Sequence, residues 1–148
     1  MDKKELHKKC IELVQSRIRE LDDEIASLQE SKFKETKSTA GDKYETGRAM
    51  LQAEEDRLTE RRAVAQNMLH TLNNLDASTP KEKVDLGSLV IANDTNYFIS
   101  SALGKIMLED TSVYCISAIS PIGKVLVGKE LNEEISFNGQ IMRIEKIL

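Results

Sequence analysis

Apolar residues recur at helical spacing through the first half of the chain. One series advances in steps of three and four residues, at Ile11, Val14, Ile18, Leu21, Ile25 and Leu28. A second series repeats every seven residues, at Tyr44, Leu51, Leu58, Ala65 and Leu72. Both spacings are typical of the a and d positions of a coiled coil. We therefore predict two long helices that pair as a coiled-coil hairpin over residues 1–77.

A short polar segment separates the two helical series and contains Gly41. Such a segment suits the turn of an αα-hairpin, so we place the tip at about residues 36–42. Because an α-helix rises about 1.5 Å per residue, a first helix over residues 3–35 would be roughly 50 Å long. A compact domain built from the rest of the chain is smaller than that, so we expect the hairpin to project beyond it.

The pattern changes after Pro80 to short apolar runs separated by turn residues. We predict strands at residues 88–92, 97–100, 105–108, 113–116, 135–137 and 141–144. Asn138-Gly139 between the last two runs is a strong hairpin signal. Ser120, Pro121 and Gly128 have the positions of an N-cap, a first helical residue and a C-terminal glycine, so they predict a short helix. The predicted fold class is α+β, with residues 78–86 as a linker and 87–148 as a small domain built on an antiparallel sheet.

Composition and charge exclude several classes of function. The chain has 25 acidic and 21 basic residues, a net charge of −4, which argues against a general polyanion binder. No apolar run approaches the roughly 18 residues of a membrane span, and no signal peptide is evident, so we expect a cytoplasmic protein. The two cysteines, Cys10 and Cys115, make no disulfide framework, and we interpret them as packing residues. We interpret His7 and His70 as solvated helix residues.

Candidate chemistry is confined to the neighbourhood of the tip, where Glu35, Asp42 and Glu45 lie close together in sequence. Carboxylates there could bind Mg²⁺, which takes one or two carboxylates together with water or substrate phosphates. Asp42 could instead cap the second helix and interact with its dipole. The two roles do not exclude each other.

The most specific motif lies at residues 120–129, which read SPIGKVLVGK. It resembles the C-terminal signature of the bacterial Gre transcript-cleavage factors, Ser-Pro-(Ile/Leu)-(Ala/Gly)-x-Ala-Leu-(Ile/Leu)-Gly-Lys, and departs from it at Val125. Residues 42–48, DKYETGR, are similar to the Gre segment Ala-Glu-Tyr-x-x-Ala-Arg that follows the tip. With a helical hairpin preceding a small sheet domain, the resemblance covers nearly the whole chain.

The resemblance to the Gre family implies a fold and a function. It implies an FKBP-like C-terminal domain that docks at the rim of the RNA polymerase secondary channel, and a coiled coil that enters the channel. It implies no enzyme activity and no cofactor of the protein's own, since Gre tip acids help to hold Mg²⁺ at the polymerase active site. It further implies a monomer that meets nucleic acid only through the elongation complex. The docking candidates carried over by position are Ser120, Pro121 and Lys129.

The tip departs from the family pattern Asp-x-x-Glu-Asn-x-Glu-Tyr. With the tyrosine aligned on Tyr44, Lys37 and Ala40 stand at the positions of the acid pair. Three alternatives to a cleavage factor therefore stay open. The chain could be a channel competitor without cleavage activity, or a structural adaptor that pairs with a second copy. It could also be a prolyl isomerase of the FKBP type, which would need a pocket lined by its aromatic residues.

Overall fold

The computed structural model describes residues 1–38 and 42–148, and the side chains of residues 1–34 and 45–148. Its elements are, in chain order, α1 (Lys3–Ser38), α2 (Asp42–Asn74), β1 (Leu89–Ala92), β2 (Thr95–Ser100), β3 (Gly104–Leu108), β4 (Thr111–Ser117), α3 (Pro121–Leu126), β5 (Glu134–Phe137) and β6 (Gln140–Ile147). Two long helices followed by a six-stranded sheet confirm the predicted α+β class. The chain forms two compact units, one of Met1–Ile11 with His70–Leu148, and one of Glu12–Leu69.

In the unit Glu12–Leu69, α1 and α2 run antiparallel along the predicted seam. The buried seam residues are Val14, Ile18, Leu21, Leu58 and Ala65. The next seam positions toward the tip, Ile25, Leu28 and Leu51, are only half-buried. The predicted coiled-coil pairing is confirmed, and its apolar packing thins out toward the tip.

Polar pairs replace the apolar seam where that packing thins out. The Lys32 ammonium lies 2.8 Å from the Glu55 carboxylate and also donates to the Gln52 side-chain oxygen. The hydrogen bonds from Lys32 and Gln29 hold the pKa of the Glu55 carboxyl below its usual range. This network links the two helices by charge and hydrogen bonding at a point where apolar packing no longer does so.

The sheet belongs to the other unit and has the strand order β3-β4-β2-β1-β6-β5. Neighbouring strands are antiparallel with one exception, since β2 and β4 pair in parallel from Tyr97 opposite Tyr114 to Ser100 opposite Ser117. The predicted antiparallel sheet is therefore mixed. The β3–β4 hairpin folds back so that β4, and not β3, lies beside β2. The apolar runs predict the strands but not which of them become neighbours.

Two tight turns explain why the hairpins form where the sequence predicts them. Asn93 and Asp94 both have positive φ, at 47° and 60°, and connect Ala92 to its partner Thr95. Asn138 and Gly139 have φ of 51° and 76° in the β5–β6 turn. Positive φ at both central residues defines the type I′ turn, whose twist matches that of the flanking strands.

Each face of the sheet is covered by a different helix. One face forms a core with α3, which consists of Val84, Val90, Ala92, Ile99, Leu126, Ile135, Met142 and Ile144. Successive residues of a strand point to opposite faces, so Phe98 and Cys115 face the other way. Cys115 meets Cys10 of α1 with 3.6 Å between the two Sγ atoms. The start of α1 therefore covers the second face.

The pairing of α1 with the end of α2 also places His7. Its Nε2 lies within hydrogen-bonding distance of the Leu72 carbonyl oxygen, and its ring is half-buried. The interpretation of His7 as a purely solvated residue is wrong, because the helix partner supplies a backbone group that the sequence pattern does not reveal. His70 is exposed, as expected.

The segment between α2 and β1 is held in place by hydrogen bonds. The Asp76 carboxylate accepts from the Ser78 N–H at 2.8 Å, the Ser78 hydroxyl at 2.7 Å and the Thr79 N–H at 3.2 Å. Hydrogen bonds from Thr79 and Ser78 hold the pKa of this carboxyl well below its usual range. Further along, Val84 donates its N–H to the Lys129 carbonyl and accepts from the Gly128 N–H. Hydrogen bonds thus hold this segment at Ser78, Thr79 and Val84, and the boundaries drawn at 77 and 87 remain predictions.

Gly87 permits the closest backbone approach in this segment. It has a φ of +90°, and a Cβ built on it would lie 2.2 Å from the Asp76 carbonyl oxygen. Its N–H donates to the Ile99 carbonyl at 2.8 Å, so the chain cannot move away without losing a buried hydrogen bond.

Replacing Gly87 by alanine should therefore destabilise the protein more than the same change at a glycine that has positive φ but free space around its Cβ position. We expect Gly87→Ala to lower the free energy of unfolding by about 3 kcal/mol or more. The matched control is Gly104→Ala, because Gly104 also has positive φ, +76°, but nothing lies within 4 Å of its Cβ position. That change should cost about 1 kcal/mol. Urea unfolding measures both, and equal losses would contradict a steric role for the Asp76 carbonyl.

Candidate functional site

The residues that match the Gre signature form the connection from β4 to α3 and α3 itself. Ser120 is the N-cap of α3, with φ −65° and ψ 159°, and its hydroxyl accepts from the Gly123 N–H at 3.1 Å. The same hydroxyl donates to the Ser117 carbonyl at 2.6 Å. Pro121 occupies the first helical position, where its missing N–H costs nothing because the first helical N–H groups lack partners anyway.

A tight turn precedes this cap and presents Ile119. The Ile119 N–H donates to the Ser117 hydroxyl at 3.2 Å, and the Ser120 N–H donates to the Ser117 carbonyl at 3.1 Å. The Ile119 side chain is 78% exposed, the highest value among the large apolar residues that are exposed in the described chain. Hydrogen bonds on both sides of Ile119 therefore hold its backbone in place, while its apolar side chain is exposed to water.

Gly123 lets the first turn of α3 sit directly on the end of β4. A Cβ at this position would lie 2.1 Å from the Ser117 carbonyl oxygen. Ser117 thus receives hydrogen bonds on its carbonyl and its hydroxyl while α3 packs against its backbone. The close approach fixes the direction in which the turn at Ile119 points.

Lys129 lies beyond the other end of α3. Its N–H donates to the Leu126 carbonyl at 3.1 Å and its own carbonyl accepts from Val84, while its side chain is half-exposed. The six residues of α3, a rise of about 9 Å, begin at Pro121 and end three residues before Lys129. Ser120 and Pro121 therefore lie at the start of α3, and Lys129 lies beyond its end.

Ile119 was not among the predicted site residues, although the sequence carries a signal for it. An apolar residue just before an N-cap usually packs against an apolar residue at the fourth helical position. That position is Lys124, which is exposed, so Ile119 has no such partner. An unmatched apolar residue ahead of Ser-Pro is therefore the pattern that predicts an exposed side chain here.

The aromatic residues of the sheet unit are divided between the two faces of the sheet. Tyr97 and Tyr114 pack with their ring centroids 6.1 Å apart, and burial raises the pKa of Tyr97. Phe98 is fully enclosed on the opposite face of the sheet. A surface groove of about 480 Å³ is lined by Lys81, Glu82, Glu130, Leu131, Glu145, Lys146 and Ile147, none of them aromatic. This distribution does not favour the prolyl-isomerase alternative.

The predicted tip residues are only partly within the described structure. The side chains of Glu35 and Asp42 lie outside the described residues, and so does the Mg²⁺ interpretation that depends on them. Glu45 lies near the start of α2 and is exposed. Among the side chains that the structure describes, no group of three or more His, Cys, Asp or Glu residues could hold a metal ion. Within the described ranges, no helix is both long and apolar enough to span a bilayer.

The double hydrogen bonding of Ser120 predicts a measurable capping contribution. We expect Ser120→Ala to lower the free energy of unfolding by about 1 kcal/mol, because the Gly123 N–H loses its acceptor. Ser120→Thr keeps a hydroxyl that can accept and donate, so it should cost less than half as much. Urea unfolding of both variants gives the comparison. A threonine variant as unstable as the alanine variant would show that packing, and not the hydroxyl, decides the effect.

Comparison with known proteins gives a likeness to a solved structure. No family model matches this chain, and no curated protein matches it. Among solved structures, that of the transcription factor Gfh1 is similar over 93% of this chain and 92% of that chain, at 19% sequence identity and a TM-score of 0.40.

Proposed function

We propose that this chain is a Gre-like transcription regulator that binds RNA polymerase at the rim of its secondary channel and inserts its helical hairpin there. It acts on elongation through the polymerase active site and has no catalytic residues of its own. In this proposal it is cytoplasmic and meets nucleic acid only through the elongation complex. The main support is the exposed Ile119 on a turn built by the residues that resemble the Gre docking signature.

The turn at Ile119 has the physical properties of a docking element. Four hydrogen bonds fix its backbone between Ser117 and Gly123. A surface that is already ordered loses little conformational entropy when a partner binds. Burying an isoleucine side chain on a partner contributes about 1.5–3 kcal/mol. Ser120 supports the element by capping α3, and Pro121 extends its exposed surface.

The helical hairpin supports the second part of the proposal. Its helices have 36 and 33 residues, which corresponds to about 50 Å each. The seam residues away from the tip, from Val14 to Leu21 with Leu58 and Ala65, are buried within one chain, so a second copy is not needed to cover them. This burial favours a monomer and weakens the adaptor alternative, which needs apolar seam surface for a partner.

The identity of the tip residues supports a second candidate function, that of a channel competitor. Lys37 and Ala40 stand where the Gre pattern has its acid pair. A lysine ammonium and a methyl group cannot coordinate Mg²⁺, which requires oxygen ligands. Cleavage activity would then depend on Glu35, Asp42 or Glu45 taking over that role.

Docking through Ile119 can be tested by a matched pair of substitutions. We expect Ile119→Ser to weaken binding to RNA polymerase about tenfold, because the apolar contact is lost. Ile141→Ser is the control, since Ile141 is also strongly exposed, at 67%, but lies in β6. It should bind like the original chain. Binding is measured by fluorescence anisotropy of labelled protein, after thermal unfolding has shown that both variants fold.

Two outcomes would contradict different parts of the proposal. If the original chain does not bind polymerase, the proposed function fails. If it binds and both variants bind equally well, polymerase binding stands and the docking role of Ile119 fails.

A further inference from the structure

The only two cysteines of the chain meet inside the protein. Cys10 lies in α1 and Cys115 in β4, 105 residues apart in sequence. Their side chains are 0% and 1% exposed, and their Sγ atoms are 3.6 Å apart. Both belong to the same compact unit, which contains Met1–Ile11 and the sheet. The two cysteines of this chain are therefore buried in contact with each other.

We propose that Cys10 and Cys115 form a redox site that reacts with hydroperoxides and closes to an intramolecular disulfide. The two sulfurs are already in contact, and they need to approach by about 1.5 Å to reach bonding distance.

The environment of the pair assigns different roles to the two thiols. The two thiols share a sulfur–sulfur hydrogen bond in which either sulfur can be the donor. This hydrogen bond lowers the pKa of the Cys10 thiol, and the charge of Lys9 acts in the same direction. The same hydrogen bond and burial raise the pKa of Cys115. Since the thiolate is the nucleophile, Cys10 attacks first and Cys115 resolves.

The reaction balances with a hydroperoxide as the only oxidant. The Cys10 thiolate attacks one oxygen of the hydroperoxide and breaks the O–O bond. The leaving group is hydroxide from hydrogen peroxide, or an alkoxide from an organic hydroperoxide, and it takes up a proton to become water or an alcohol. Cys10 is then a sulfenic acid. Cys115 loses its proton, its sulfur attacks the Cys10 sulfur, and the sulfenic oxygen leaves with that proton and its own as water. Two thiols have lost two electrons and the peroxide has gained them.

The disulfide would lock the start of α1 to the sheet. In the reduced chain, the helix is held on this face by apolar packing and by contacts such as that of the Lys9 ammonium with the Met107 carbonyl. A covalent link that closes a loop of 105 residues restricts the unfolded chain strongly. Since both sulfurs are buried, peroxide must reach them through local opening of this segment, so the reaction is slower than at an exposed thiol.

The test uses the folded protein with both cysteines present and no substitution. We expect hydrogen peroxide to yield a monomer that is lighter by two hydrogen atoms and has no free thiol after denaturation. We expect its Tm to rise by about 10 °C, and dithiothreitol to restore both thiols and the original Tm. Intact mass, thiol titration and thermal unfolding give these three values without any substitution.

Variants that keep one cysteine supply the control. Cys10→Ala and Cys115→Ala cannot close the bond, so peroxide should not raise their Tm. The proposal is overturned if the original chain keeps two thiols under peroxide, gains oxygen atoms without losing both thiols, or becomes a covalent dimer. None of these measurements involves RNA polymerase, so the result is independent of the proposed function.

Discussion

Covering the second face of the sheet is the constraint on which the rest of the structure depends. Strand alternation sends Phe98 and Cys115 to that face, and α3 lies on the other one. Leu6 and Cys10 are completely buried in the unit that contains the sheet. The start of α1 is therefore part of the core of the sheet unit.

The segment after α2 is tightly constructed within the same unit. With the end of α2 and the start of the sheet both tied to one core, the connecting chain has little freedom. The Asp76 carboxylate accepts the hydrogen bonds of its first turn. Gly87 lacks the Cβ that would collide with the Asp76 carbonyl oxygen. Val84 donates its N–H to, and accepts an N–H from, the residues that follow α3. The docking candidate at Ile119 is held by the same kind of construction, in which Gly123 and Ser120 fix a turn against β4.

The sequence predicts those features that depend on local patterns. The seam from Val14 to Leu21, the turns at Asn93 and Asn138, and the capped helix at Ser120 follow from periodicity and turn chemistry. Features that depend on distant contacts were missed. The parallel pairing of β2 with β4, the Leu72 carbonyl beside His7, and the meeting of Cys10 with Cys115 join segments far apart in the chain. The exposure of Ile119 lies between these cases, because its unmatched position before the N-cap is visible in the sequence.

The most direct test of polymerase binding uses backtracked elongation complexes that carry a 3′-labelled transcript. The chain is titrated in Mg²⁺, with and without an authentic Gre factor, and the release of short 3′ fragments is followed. We expect a concentration-dependent change in cleavage. Loss of the authentic factor's stimulation would identify a competitor in the channel, and faster cleavage by the chain alone would show that its tip supplies carboxylates. Unchanged cleavage at every concentration, with and without the authentic factor, would contradict binding at the secondary channel.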